Sequence, residues 1–404
     1  MTAPDRHDHH PEHAAAPEQA GESPASLWVI AREWTRIGTI GFGGPPAHIA
    51  LLRELCVDRR GWLSREEFED AIATTNLLPG PGSTQLAIYC GWRVGGTAGA
   101  WIGGAGFILP GLVVIIALSA LFLTGAPPAW VLGAGAGAGA AVAAVALQAG
   151  GTLLRPSWER VSGAQRARWC AYVVAGGAAT AVAGQWVVLV LLACGFIELA
   201  WRRPPTWTGA AIGVHPWPVA AAAATTGGLG ALVWMAFKVG ALSYGGGFVI
   251  IPLMQADAVS HYHWMTSGQF LNAVALGQVT PGPVVHTVAV VGYAAAGVGG
   301  ALLAAAVAFA PSFSFILIGA DRFDRLRQNT RVRAFLDGAG PAAIGAILGS
   351  AIPLARALSE PWQYAVLAAA ALALLLLRHG VVSTLVAAGI IGAVVGVAGG
   401  PLPS

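Results

Sequence analysis

Charge is what this chain has least of. Only 10% of its 404 residues are Asp, Glu, Lys or Arg, against about 25% in an ordinary soluble domain. A shortage that deep excludes a surface that meets water all round. Lysine is nearly absent: Lys238 is the only one, and the other basic side chains are arginine. The net charge of +3 is modest and gives no sign of a nucleic-acid partner. Cysteine is scarce too. Cys56, Cys90, Cys170 and Cys194 have no C-x-x-C spacing, so they read as small buried apolar side chains rather than metal or redox groups. There is no phosphate-binding P-loop, no H-E-x-x-H and no mirrored pair of intramembrane carboxylates. Those absences weigh against a nucleotide-driven pump and against an enzyme. The first 26 residues lack a basic stretch followed by an apolar core, so they read as a disordered tail and not a signal peptide. His7, His9, His10 and His13 in it are read as solvated, and no metal or cofactor is expected.

What the chain has is apolar length. Hydrophobic residues make up 56%, and the uncharged stretches 97–123, 130–151 and 287–310 each exceed the roughly 20 residues needed to span a bilayer as a helix. Fifty-five glycines and abundant alanine suit helices that pack closely in lipid. The fold class expected is an all-α polytopic membrane protein.

The chain also repeats. Arg36-Ile37-Gly38-Thr39-Ile40-Gly41-Phe42-Gly43-Gly44 returns as Lys238-Val239-Gly240-Ala241-Leu242-Ser243-Tyr244-Gly245-Gly246, an offset of 202 residues (238 − 36). The same offset carries Trp62 onto Trp264, Phe68 onto Phe270, and Pro79-Gly80-Pro81 onto Pro281-Gly282-Pro283. The expected division is a tail over 1–26, a first repeat over 27–206 and a second over 207–404. Arginine in short loops marks the cytoplasmic side, and equivalent loops carry opposite bias. Arg53, Arg59, Arg60 and Arg65 correspond to a segment, 255–267, with no Lys or Arg. Further on, 124–128 has none, whereas its counterpart region holds Arg322, Arg325, Arg327, Arg331 and Arg333. Opposite bias predicts an inverted-topology repeat. Residues 169–201 read as a hairpin of two short crossings. Segments 27–56, 66–91 and 207–226 either cross or enter and leave on one side.

Two motifs per copy interrupt apolar helices. Gly41-Phe42-Gly43-Gly44-Pro45-Pro46 and Ser243-Tyr244-Gly245-Gly246-Gly247 form the first pair, and Pro79-Gly80-Pro81 and Pro281-Gly282-Pro283 the second. Broken helices persist in lipid only where protein or a polar cavity takes up the freed backbone groups. A helix restarting after a break aims free N–H groups and partial positive charge at the gap, which favours anions. The candidate substrate-binding residues are therefore Gly43, Gly44, Pro45, Pro79, Gly80 and Pro81, with Tyr244, Gly245, Gly246, Pro281, Gly282 and Pro283. Asn76, Gln85, Gln278 and Thr280 join them as amide and hydroxyl donors. Arg36 and Lys238 sit at equivalent places near mid-depth and could offset the two charges of a dianion; alternatively they reach the interface, or Arg36 pairs with Glu33. His286 and Glu33 are the candidates for proton coupling.

On these residues the chain resembles the chromate ion transporter family in its long, two-domain form. Phe42-Gly43-Gly44-Pro45 and Pro79-Gly80-Pro81 are similar to hallmarks of that family's first domain. Tyr244-Gly245-Gly246-Gly247, the run from Ala275 through Gln278 and Thr280 to Pro283, and Val291-Gly292-Tyr293 are similar to those of the second. The resemblance implies a bacterial inner-membrane secondary transporter that exports chromate by alternating access, proton-coupled, conferring resistance. It does not separate chromate from sulfate or another oxyanion, nor export from uptake, and a channel stays an alternative. The partners expected are a tetrahedral oxyanion and the lipid bilayer, with protons and a second copy of the chain as candidates; the sequence leaves the oligomeric state open.

Overall fold

The computed structural model describes residues 25–76, 78–123, 127–183, 187–202, 228–243, 250–319 and 329–403. Among them are fourteen helices and no strand. The first seven are α1 Leu27–Ile40, α2 Pro45–Arg53, α3 Arg65–Thr75, α4 Gly82–Phe122, α5 Ala129–Glu159, α6 Gln165–Ala183 and α7 Val187–Arg202. The second seven are α8 Leu229–Leu242, α9 Ile251–Gln255, α10 Ser267–Val279, α11 Thr287–Gly319, α12 Thr330–Arg356, α13 Pro361–Ala371 and α14 Val381–Val397. The two series are copies. At an offset of 202, α1 overlies α8, and the π-helical turn Glu54–Arg59 after α2 overlies Ala256–His261 after α9. Even the starting devices recur. Ser64 and Glu67 form a reciprocal capping box at α3, and Thr266 and Gln269 form one at α10.

Four helices are long and apolar enough to cross a membrane: Gly82–Phe122, Ala129–Glu159, Val284–Gly319 and Thr330–Arg356. Large apolar side chains including Trp28, Val113, Val182, Phe196, Ile318 and Val394 face outward. An outward apolar surface of that kind is stable against lipid and not against water. The chain is a multi-pass membrane protein.

Within each half the chain doubles back before it spans. Helix α4 is two helices, because Gly95 and Gly96 leave helical geometry and Gly96 takes φ 62°. A Cβ on Gly91 would touch the Gly99 carbonyl oxygen at 2.5 Å, although eight residues of straight helix separate atoms by about 12 Å. Residues 82–94 and 97–122 therefore run antiparallel. Residues 82–94 also pack antiparallel to α3, with Glu67 and Arg93 paired at 2.5 Å where the two begin and end. So α3 enters, turns at Pro79-Gly80-Pro81 and leaves on the side it came from. Helices α1 and α2 do the same around Gly41–Gly44, closed at their base by Glu33 and Arg60 at 2.8 Å. Segments 27–56 and 66–91 are thus re-entrant hairpins; 207–226 lies outside the described residues.

The reversal recurs in the second half at Ala296 and Gly297, where Gly297 has φ 61°. Gly297 matches Gly96 at an offset of 201, not 202. The second half is therefore one residue shorter between Pro283 and Ala296, and there a 3₁₀ turn, Val284–His286, stands where the first half is α-helical from Gly82.

The halves run oppositely. Trp101 stacks on Phe313, ring centroids 4.6 Å apart. At the 201 offset Phe313 corresponds to Leu112, about 16 Å further along the helix from Trp101. Counterpart helices meet that way only when antiparallel. The same holds for α5 and α12: Arg160, just after α5, and Arg333, near the start of α12, border one cavity mouth. Each long helix packs against the last two helices of the other half, α5 on α13 and α14, α12 on α6 and α7. The passage of α5 along α14 has no room for side chains: a Cβ on Gly133 would collide with the Gly392 carbonyl, and one on Gly137 with that of Ala388. Three of the four cysteines are buried as expected; Cys170, on α6, is exposed.

Candidate functional site

The turns of the re-entrant hairpins meet at the centre. The N–H of Gly80 donates to the carbonyl of Ser243 at 2.6 Å, and the N–H of Gly282 donates to that of Gly41 at 2.9 Å. These are one contact made twice by the pseudo-symmetry. Each joins the Pro-Gly-Pro turn of one half to the first break of the other. Glycine is required at both donors, since Gly80 has φ 125° and Gly282 φ 89°. A Cβ on Gly80 would also run into the side chain of Gln85, whose Nε2 donates to the Pro79 carbonyl at 2.7 Å and holds the turn.

A cavity of about 990 Å³ reaches these turns from one face. Its closed end is made by Gly43, Gly44, Pro45, Asn76, Gly80 and Ser83 of the first half and Gln278 of the second. Its mouth carries Arg160, Arg202, Arg333 and Asp337. Two helices begin at the closed end. Helix α2 starts after Gly44 and α4 after Pro81, and neither has a side chain capping it. Their positive dipole ends are left for whatever occupies the cavity, with the N–H groups of Gly82 and Ser83 on α4; Pro45 and Pro46 have no N–H to offer at the start of α2.

Asn76 and Gln278 are counterparts at the 202 offset, and both line this end. Gln278 is 8% exposed, and its Nε2 has no hydrogen-bond partner among the described residues. An amide N–H₂ buried with nothing to donate to is costly. It is a donor waiting for an acceptor.

Two polar side chains link the cavity to the central contact. His48 is fully buried, with Nε2 2.9 Å from the Gly41 carbonyl and Nδ1 3.2 Å from Ser83 Oγ. A carbonyl only accepts, so in the neutral ring Nε2–H donates to Gly41 and the Ser83 hydroxyl donates to Nδ1. Ser83 in turn borders the cavity.

The residues singled out in the sequence divide three ways. Gly43, Gly44, Pro45, Asn76, Gly80 and Gln278 line the cavity. Pro79, Pro81, Gln85, Thr280, Pro281, Gly282 and Pro283 build the turns behind it; the Thr280 hydroxyl, for one, donates back to the Leu276 carbonyl. Arg36 and Lys238 do not reach it. Arg36 lies 3.8 Å from Glu33, which Arg59 and Arg60 also hold. Lys238 donates to Asp257 at 2.6 Å. The dianion-offsetting pair expected from their mid-depth positions is thus replaced by two internal ion pairs, because each cation has a carboxylate within reach. His286 is fully buried against Gly111 and Gly282, beside the turn and outside the cavity lining. Tyr244, Gly245 and Gly246 lie outside the described residues, as does the histidine-bearing tail.

Sequence reasoning missed His48 and Asp337. The available signal for His48 was a lone imidazole one turn after Gly43-Gly44-Pro45-Pro46. Asp337 gave none, as its Arg202 partner, 2.9 Å away, comes from the other half.

No solved structure matches this chain. Curated proteins do. The chromate transport protein of Cupriavidus metallidurans is 32% identical over 389 residues, covering 93% of this chain and 94% of that protein. A chromate transport protein of Pseudomonas aeruginosa is 31% identical over 363 residues, 85% of each chain. A probable chromate transport protein of Synechococcus elongatus is 31% identical over 343 residues, 82% of this chain and 85% of its own. The chromate transporter family profile matches twice, over residues 28–199 and 230–397, once in each half. Membership supports a role in chromate transport and points to a transporter rather than an enzyme. On this coverage, the chain belongs to the chromate transporter family.

Proposed function

We propose that the protein is a secondary active transporter that exports chromate across the bacterial inner membrane by alternating access between its inverted halves. The observation that carries this reading is the closed end of the cavity. Two uncapped helix starts and the symmetry-related amides of Asn76 and Gln278 converge there from both halves. Such a site suits a tetrahedral oxyanion. Backbone and amide donors surround its oxygens, and helix dipoles favour its charge without a fixed cation to hold it too tightly for release.

The mouth indicates the side to which the cavity opens. Arg160, Arg202 and Arg333 border it, and arginine-rich loops belong on the cytoplasmic side. The structure is thereby read as open to the cytoplasm, the state that loads an exported anion. The Gly80–Ser243 and Gly282–Gly41 contacts then separate the site from the far side. In the opposite state the second half, being inverted, opens a matching path.

The test is chromate flux in inverted membrane vesicles. Saturable accumulation that collapses with the proton gradient supports a proton-coupled exporter. Flux that stays linear with concentration and ignores the gradient indicates a channel, and stronger competition by sulfate than by unlabelled chromate indicates a different cargo.

A further inference from the structure

We propose that His48 and Ser83 form a proton-operated donor switch, so that a proton taken up on His48 and an oxyanion in the cavity bind cooperatively across one hydroxyl group. This rests on the oxyanion-site reading alone and concerns binding: a proton carried together with the anion opposes export against an inward proton gradient, so the switch sets affinity and is not the coupling step of the export cycle.

The geometry carries the logic. His48 Nε2 is committed to the Gly41 carbonyl at 2.9 Å and must carry a proton. With the ring neutral, Nδ1 has only a lone pair, and the Ser83 hydroxyl spends its hydrogen on it at 3.2 Å. Ser83 then offers the cavity lone pairs alone, which repel an anion. Protonation of the ring reverses that bond: Nδ1–H donates to Ser83 Oγ, and the serine hydrogen is free to turn toward the cavity. One proton therefore changes Ser83 from an acceptor into a donor at the closed end. It also places a positive charge one hydroxyl away from the anion.

The surroundings leave the anion as the partner for that charge. From α1 the ring meets the Gly41 backbone; from α4 it meets Ser83 and the edge of Phe107, ring centroids 4.9 Å apart. The titratable group from the second half is His286, behind Gly282. The carboxylate of Glu33 is engaged with Arg36, Arg59 and Arg60 at the base of the α1–α2 hairpin. The Gly41 carbonyl that His48 grips also accepts the Gly282 N–H, so the switch sits on the contact that joins the halves.

The experiment is equilibrium dialysis of labelled chromate against the purified full-length protein over a pH series, for wild type, His48→Gln and Ser83→Ala. Taking the ratio of wild-type to variant affinity at each pH cancels the protonation of chromate itself. The expected result is a ratio that rises on acidification, by up to about tenfold per pH unit for one linked proton, and then levels off. A pH indicator should record proton uptake on chromate binding by the wild type and less by either variant. His48→Gln keeps a donor for Gly41, and Ser83→Ala removes a single oxygen, so failure of one variant to fold leaves the other. Ratios that stay constant with pH for both variants, with unchanged proton uptake, overturn the switch while leaving the oxyanion site standing. Absence of chromate binding by the wild type overturns the site and the switch together.

Discussion

Gly282 donates its main-chain N–H to the carbonyl of Gly41 at 2.9 Å, across the boundary between the two halves. Gly80 repeats the contact on Ser243 at 2.6 Å. Four helix breaks, far apart in sequence, are thereby tied in pairs at the centre of the molecule. Buried backbone groups freed by a break need partners in lipid, and here each half supplies them to the other. A transporter that alternates between two states would exchange these contacts as its halves move.

The first prediction concerns those glycines. Gly80→Ala forces an L side chain into φ 125° and against Gln85. It should cost about 1–3 kcal/mol, seen as a lower thermal midpoint in detergent and a loss of chromate flux. Gly61→Ala, also at positive φ but with open space around its Cβ position, should lose stability through backbone strain alone and retain flux per folded molecule.

Lys238 and Asp257 form an ion pair in a largely buried setting, their side chains 17% and 12% exposed. Lys238→Met should destabilise the protein by about 3–5 kcal/mol by leaving a carboxylate unpaired. Adding Asp257→Leu should restore most of the loss. Thermal unfolding of the two single variants and the double variant measures this. A cation acting directly on the anion would instead leave transport dead in the double variant at full stability.

The mouth makes a kinetic prediction. Arg333 and Arg160 are exposed there and border the cavity. Reversing one charge, Arg333→Glu, should raise the KM for chromate several-fold with little change in maximal flux, because steering acts on capture. The difference should shrink as salt is added. Initial rates at low and high ionic strength check it.

Much of this was legible in the residues. The 202 offset from Arg36 to Pro81 placed both pairs of breaks, and opposite arginine bias set the relative orientation that the Trp101–Phe313 stack shows. The shift to 201 was hidden because it falls between Pro283 and Ala296, where glycine and alanine fit either register. Arg36 and Lys238 misled for a physical reason. Depth along a helix is readable from sequence, but the facing of a side chain toward Asp257 depends on a hairpin that sequence does not show. Gln278 was legible as a donor near a break. That its amide has no hydrogen-bond partner among the described residues became visible only once the cavity was formed.

Close packing offers a further check. Gly133 and Gly392 meet backbone to backbone on α5 and α14. Gly392→Leu should separate the helices and sharply lower the folded protein recovered from membranes. Ala138→Leu, on the same helix as Gly133 but only partly buried, should cost far less. Size-exclusion profiles in detergent compare them.

The central claim, that an oxyanion is held by donors at the paired helix starts, is tested most directly by chromate binding to purified Asn76→Leu, Gln278→Leu and the double variant. Both substitutions remove the amide and keep comparable bulk. The account predicts at least a tenfold loss of affinity for Gln278→Leu, a larger loss for the double variant, and thermal stability of Gln278→Leu equal to or above wild type because a buried amide with no partner among the described residues has gone. Wild-type chromate affinity in the folded double variant would contradict it.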